Sequence, residues 1–295
     1  MRQAIQKDTT AAIAALVFAT LFWSGNFIAG RAIRGEITPL ELNTIRWGLC
    51  LAMMLPFTLR GLVSYRRELV ASWRVVALLG ITGIAAFHTM VYQALSQTAA
   101  VNCLLILALA PVATVAGGMI WSGFRPTLFQ IAGLLVSLLG ASVLVLAGGT
   151  VGVSLLQVDI GKVWMLGAIL IWAWYTLLLR HKPSAVPQSV TLVASILVAL
   201  CVMAAFLLVR GVERPEFTDE SLLAVAYIAV FASAIGFLLW SYGIGIIGPE
   251  RGGQFVHLMP IFGSILAVLL LGEQLTFSLL AGAAFVVAGI VLVNR

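Results

Sequence analysis

Leu107-Ala108-Leu109-Ala110-Pro111-Val112 lies in the middle of one apolar run, and 149 residues later Val256-His257-Leu258-Met259-Pro260-Ile261 lies in the middle of another. The same offset carries Trp23 onto Trp172, Arg31 onto Arg180, Gly123 onto Gly272, Gly133 onto Gly282 and Gly140 onto Gly289. A constant shift connecting residues from near the start of each half to near its end marks an internal duplication, which has to be read before any fold is assigned. Each copy reads as about five membrane-spanning helices, since crossing ~30 Å of hydrocarbon takes roughly 20 apolar residues at 1.5 Å each. An odd-numbered unit that is duplicated inserts its second copy upside down, and inverted repeats are the signature of alternating-access transporters. The expected fold class is therefore all-α and integral to the membrane, with ten transmembrane helices as two inverted five-helix repeats around a central cavity.

Composition points the same way. Of 295 residues, 62% are hydrophobic and 9% charged, whereas a soluble domain carries about 25% charged residues. There is too little polar surface here to face water all round. The net charge of +6 comes from basic residues in short loops between apolar runs, which read as topology determinants rather than a nucleic-acid surface. Cys50, Cys103 and Cys201 all sit inside apolar segments, with no C-x-x-C or His/Cys cluster. They imply no disulfide framework and no metal, and no cofactor is expected. The opening MRQAIQKDTT precedes an apolar run of the first-span type and is read as leading into that span rather than as a cleaved segment.

Ten stretches are long and apolar enough to span, near 11–30, 40–59, 74–95, 101–121, 127–147, 161–180, 188–209, 222–243, 251–271 and 276–294. This divides the chain into a first five-helix repeat over 1–147, a linker over 148–160 and a second repeat over 161–295. Thr38-Pro39-Leu40-Glu41 starts the second helix, with a capping Thr, a proline at the first helical position and a Glu three residues on. With the N-terminus cytoplasmic, inside segments hold 11 Lys and Arg and outside segments 5, which with Arg46 inside the second helix accounts for all 17. That excess places both termini inside.

Proline-interrupted helices at matching positions of two halves point to a transporter's binding site. Pro111 and Pro260 are thus candidate hinges; the alternative is a static kink against a neighbouring helix. Polar and amphipathic side chains within spans form two groups. Toward the outer side lie Asn26, His88 and Tyr92, with Asn102 nearer the rim; His88 and Tyr92 share a helical face. Toward the inner side lie Tyr175, Trp240, Tyr242, Gln254 and His257, and the mates Trp23 and Trp172 precede Asn26 and Tyr175 by three residues. A path lined by aromatics and uncharged hydrogen-bonders suits zwitterions or amphipathic solutes. The duller accounts remain open: interfacial belts for Trp and Tyr, above all Trp121 and Trp164, interhelical hydrogen bonds for Asn26 and Gln254, and a histidine bonded to a neighbouring carbonyl. Arg46 is expected to snorkel or to pair with Glu41, with a functional role as the alternative.

The duplicated pattern resembles the EamA branch of the drug/metabolite transporter superfamily. The matching residues are Phe22-Trp23-Ser24-Gly25-Asn26-Phe27, Pro111, Pro260, Leu271-Gly272-Glu273, and Gly282 with Gly289. Within it the chain is most similar to the YddG-type amino-acid exporters of bacterial inner membranes. The resemblance implies a ten-helix inverted-repeat fold and export of amino acids, aromatic ones or a broader set, with a small-molecule substrate and the bilayer as partners and a monomer as the working unit. Glu273 has no acidic counterpart in the first half, which reads Trp121-Ser122-Gly123-Phe124-Arg125, and is taken as a helix-end device. No Asp or Glu falls mid-span and no lysine pair would hold a phosphorylated sugar, which disfavours cationic-drug and sugar-phosphate specialists. Transport is expected to be facilitated diffusion, with a proton-coupled antiporter and a passive pore as alternatives. An intramembrane enzyme is the reading from another class. His88 and His257 match neither a serine-protease nor an H-E-x-x-H pattern, and Ser24 adjoins no base that the sequence identifies, so the chain is not expected to be an enzyme.

Overall fold

The computed structural model describes residues 2–33, 35–98, 100–147, 159–211, 217–271 and 277–294. These residues are overwhelmingly helical. The principal elements are α1 (Arg2–Ala32), α2 (Pro39–Ser64), α3 (Trp73–Gln97), α4 (Asn102–Ser122), α5 (Leu128–Ala147), α6 (Ile160–Leu178), α7 (Gln188–Arg210), α8 (Asp219–Ile247), α9 (Leu258–Leu271) and α10 (Phe277–Val293). Among the described residues, eight helices are long and apolar enough to cross a membrane; α9 and α10 are shorter. The linker expected over 148–160, apart from Asp159 and Ile160, lies outside the described residues, as does Glu273.

The burial pattern is that of a protein dissolved in lipid. Large apolar side chains such as Phe57, Leu208 and Val209 are 84–89% exposed, while Asn26, Arg46, His88, Gln254 and His257 are buried. Helices suit this solvent because they satisfy every backbone group internally. Their starts are marked by local chemistry. Asp159 Oδ1 accepts from Lys162 N at 2.9 Å to cap α6, and Thr218 and Ser221 form a reciprocal capping box at α8. The start of α2 departs from expectation: Pro39 occupies the first turn, but the Thr38 hydroxyl makes no capping bond. The proline, whose φ is pre-set for the helix, suffices there.

Lipid tails are as apolar as leucine, so helices associate through close backbone approach and polar contacts. The α5–α10 seam is built that way. A Cβ on Gly133 would lie 2.6 Å from the Gly289 carbonyl oxygen, and one on Gly140 would lie 2.7 Å from that of Gly282. The two helices therefore run antiparallel, and the 149-residue offset exchanges one contact for the other. A second correspondence lies in α3 and α8, each of which contains a π-helical segment, Gly80–Ala86 and Ile228–Ile235. Shifted by 149, residues 80–86 become 229–235.

The proline helices are broken rather than kinked. In α4 the α-helix stops at Leu107 and restarts at Ala110, with Pro111 in the new first turn. The span expected as continuous over 251–271 begins as a short helix, Pro249–Gly252, passes through a 3-10 segment, Gly253–His257, and becomes α9 with Pro260 in its first turn. A proline cannot donate backward and its ring crowds the preceding turn. The regular helix thus resumes just ahead of the proline instead of bending through it.

Candidate functional site

The two breaks meet. His257 Nε2 lies 2.8 Å from the Ala108 carbonyl oxygen, and its Nδ1 lies 2.9 Å from Ser137 Oγ. The carbonyl only accepts, so Nε2 carries a proton there. Ser137 Oγ also lies 3.2 Å from Gln254 Oε1. Ala108 and His257 are themselves 149-residue mates. The imidazole thus ties corresponding points of the two halves together, using a carbonyl exposed by the break in α4.

Beside this tie is a buried aromatic cluster. Trp23 meets its mate Trp172 edge-on with ring centres 5.2 Å apart, and lies 5.0 Å from Trp240 and 5.7 Å from Phe237. Trp172 and Trp240 close the triangle at 5.5 Å. The Trp23 indole is anchored by Nε1 donating to the Ala232 carbonyl at 2.9 Å, inside the π-helical segment of α8. A narrow cleft of about 400 Å³ on one side is lined by Trp23, Asn26, Phe87, His88, Trp172 and Met259, among others. A second, of about 360 Å³, is lined by Tyr175, Lys182, Gln188, Ser195, Phe237 and Ser241, among others. No residue lines both, and neither is lined by an Asp or Glu.

The wall of the first cleft is mainly apolar, with Asn26 and His88 as its polar residues and Tyr92 just behind them. Tyr92 Oη donates to Asn26 Oδ1 at 3.0 Å, and the His88 and Tyr92 rings are 6.3 Å apart. Behind them is Arg46. Sequence reasoning sends this side chain outward to snorkel or to Glu41; instead it is fully buried in the bundle. Its Nε donates to Ser233 Oγ at 2.8 Å and Nη1 to Tyr92 Oη at 2.7 Å. The guanidinium also lies over the Trp47 ring, 5.4 Å from its centre. Residues five apart sit about 140° apart around a helix, so Glu41 and Arg46 do not share a face.

Other sequence candidates sit away from these clefts. Asn102 donates to Thr98 Oγ1 at 3.2 Å, and Thr98 bonds Asp159, a cluster outside both linings. Tyr242 is 39% exposed on the bundle's outside, although it adjoins Ser241 in sequence. Trp121 stacks on Trp174 at 4.3 Å, outside both linings. Sequence reasoning passed over Lys182, whose Nζ donates to the Ser241 carbonyl at 3.3 Å; burial holds its ammonium below the usual lysine range. It also passed over the buried Glu250, which pairs with Arg180 while Arg180 Nη1 reaches Ser122 Oγ at 3.0 Å.

A model of the EamA-like transporter family matches residues 10–146 and again residues 159–295. The chain belongs to the EamA-like transporter family. The chain is 27% identical over 284 residues to a "Probable terminal-alkyne amino-acid exporter" of Streptantibioticus cattleyicolor, covering 96% of this chain and 93% of that one. It is 26% identical to an "Uncharacterized transporter YyaM" of Bacillus subtilis, over 92% of this chain and 89% of the relative. A solved crystal structure at 20% identity superposes with a TM-score of 0.73, covering 96% of each chain, and shows the same fold. This EamA-like transporter is thus a multi-pass membrane protein of a transporter family.

Proposed function

We propose that this EamA-like transporter exports amino acids, aromatic ones or a broader neutral set, and related amphipathic metabolites across the bacterial inner membrane by alternating access. The observation that carries the reading is the partition between two clefts by Trp23, Trp172, Trp240 and Phe237, next to the paired helix breaks. A shared aromatic barrier flanked by two separate cavities is what a carrier needs in order to open one side at a time. The substrate class is supported by the hydrogen-bonding side chains and aromatic faces lining the clefts, and by the name of the Streptantibioticus cattleyicolor relative. A "Probable amino-acid metabolite efflux pump" of Salmonella typhimurium, 26% identical over 55% of this chain and 56% of its own length, points the same way.

The architecture belongs to the same proposal. Because α5 and α10 are repeat mates that run antiparallel, any rotation that superposes them turns one half over. That supports two inverted five-helix units, 1–147 and 161–295, with α9 and α10 as the ninth and tenth spans. With the charge excess of 11 to 5, reporters fused to the N-terminus and after Arg295 should both sit in the cytoplasm, and reporters within 148–159 outside. An external C-terminus with an internal N-terminus would remove the inversion.

The test of function is reconstitution in liposomes loaded with a panel of amino acids and cationic drugs. Amino acids should leave down their gradient and show saturable counterflow of labelled substrate; unsaturable flux without counterflow would make this a pore. Neither main cleft offers a carboxylate for a proton and a substrate to compete for, and His257 is held between Ala108 and Ser137. Flux at a fixed substrate gradient should therefore survive collapse of the pH gradient and membrane potential by ionophores. Accumulation driven by an imposed pH gradient, lost in His257→Ala, would make that histidine a coupling residue.

A further inference from the structure

We propose that Arg46 is the anion-recognition residue of the transport path, its guanidinium receiving the carboxylate of the transported solute as the cleft behind Asn26 widens. This rests on the exporter reading above and deepens it. Arg46 is fully buried, and a guanidinium does not shed its proton. Its hydrogen-bond partners, Ser233, Tyr92 and Asn26, are all neutral, so they orient the charge without cancelling it. Among the described residues the recorded ion pairs are Lys162–Asp159 and Arg180–Glu250, and neither includes Arg46. A charge that, among the described residues, is held in a membrane bundle by neutral partners alone is costly and is by default a candidate functional residue.

Two further observations point to a ligand. Arg46 Nη2 is buried with no hydrogen-bond partner, while Nε and Nη1 are both committed. Asn26, which Nη1 reaches at 3.5 Å, lines the first cleft together with His88. One unused cationic donor therefore lies directly behind the cleft wall at Asn26. That donor is complementary to a solute carboxylate. The flanking Trp47 and Tyr92 rings hold the guanidinium plane by cation–π contact, leaving the Nη2 edge for a charge-assisted bond. A lipid headgroup does not reach a side chain buried inside the bundle, so the anion is a solute; a halide is the other small anion the site would accept, and the test separates the two.

The experiment compares phenylalanine, phenylalaninamide and phenethylamine as ligands of the full-length protein, by thermal stabilisation in detergent and by counterflow in liposomes, with and without chloride. The acid should bind about 10- to 100-fold more tightly than the amide or the amine, the range expected for a charge-assisted bond shielded from water. Arg46→Gln should erase that preference while leaving binding of the amine within a few-fold, and Arg46→Lys should keep the preference at reduced affinity. Equal binding of acid, amide and amine by the wild type overturns the proposal without any variant having to fold. So does an acid preference undiminished in both variants, or stabilisation by chloride that the acid does not compete with. Transport of amines with no transport of any carboxylate-bearing solute overturns the exporter reading as well; transport of acids with an unchanged preference in Arg46→Gln overturns this inference alone.

Discussion

Alanine in place of Gly289 should lower the melting temperature of the detergent-solubilised protein by about 5 °C or more, and the Gly140→Ala/Gly289→Ala pair should prevent its accumulation as a monodisperse species. A methyl group on Gly289 would sit 2.5 Å from the Gly133 carbonyl oxygen and 2.5 Å from the Ser137 amide nitrogen. Both are backbone atoms, so no rotamer change relieves the clash and α10 must move away from α5. Overpacking of this kind costs about 1–3 kcal/mol per site, and at this chain length each kcal/mol corresponds to roughly 2–4 °C. Displacing α10 also pulls at Ser137, which bonds His257. Gly48 provides the control, since a Cβ there meets nothing within 4 Å. Gly48→Ala should be neutral or slightly stabilising, because alanine is the better helix former by about 1 kcal/mol. Equal melting temperatures for Gly289→Ala and Gly48→Ala would show that the seam is looser than its geometry.

Much of this seam could be read in advance, because Gly133, Gly140, Gly282 and Gly289 recur at the repeat offset and small residues are what membrane helices use to approach closely. The proline positions were legible for a similar reason, since a missing donor is a property of the residue itself. What sequence reasoning could not supply was the form of the interruption. Whether a helix bends through a proline or restarts at it depends on who satisfies the freed carbonyl, and for Ala108 that is His257, 149 residues away. The π-helical segments were equally invisible: nothing in Gly80–Ala86 or Ile228–Ile235 announces them locally.

Arg46 shows the opposite failure, where the signal was present and read too locally. Seven residues past Pro39, it lies about 10 Å along α2, beyond comfortable snorkelling reach, and the residue five before it is on another face. Both facts follow from helix geometry and argue for an inward orientation. Its partners Ser233 and Tyr92, by contrast, come from α8 and α3, and only the folded bundle brings them together. Asn102 and Tyr242 illustrate the limit of depth alone as a guide. Asn102 opens α4 and joins Thr98 at the bundle's end, whereas Tyr242 faces outward from α8.

The largest functional change is expected at Trp240. This side chain is fully buried, packs on Trp23 and Trp172, and has no hydrogen-bond partner for its indole nitrogen. Its contribution is therefore bulk and shape alone. Trp23 differs, because its Nε1 bond to Ala232 ties the barrier to the π-helical segment of α8. Trimming Trp240 to alanine removes a large ring from a tightly packed barrier at an expected cost of about 3–5 kcal/mol of stability, so Trp240→Leu is the variant to use. With the ring gone, bulky solutes such as tryptophan or a dipeptide should cross about 10-fold faster relative to alanine than in the wild type, a change typical of enlarging an apolar selector. Trp23→Phe should instead slow all substrates together, since it keeps the bulk and releases the anchor that couples α1 to α8. The measurement is competitive counterflow in liposomes with surface-matched protein. Identical size preference in Trp240→Leu and wild type would return the cluster to static packing and move the barrier to solutes elsewhere, to the Arg180–Glu250 pair or the His257 tie.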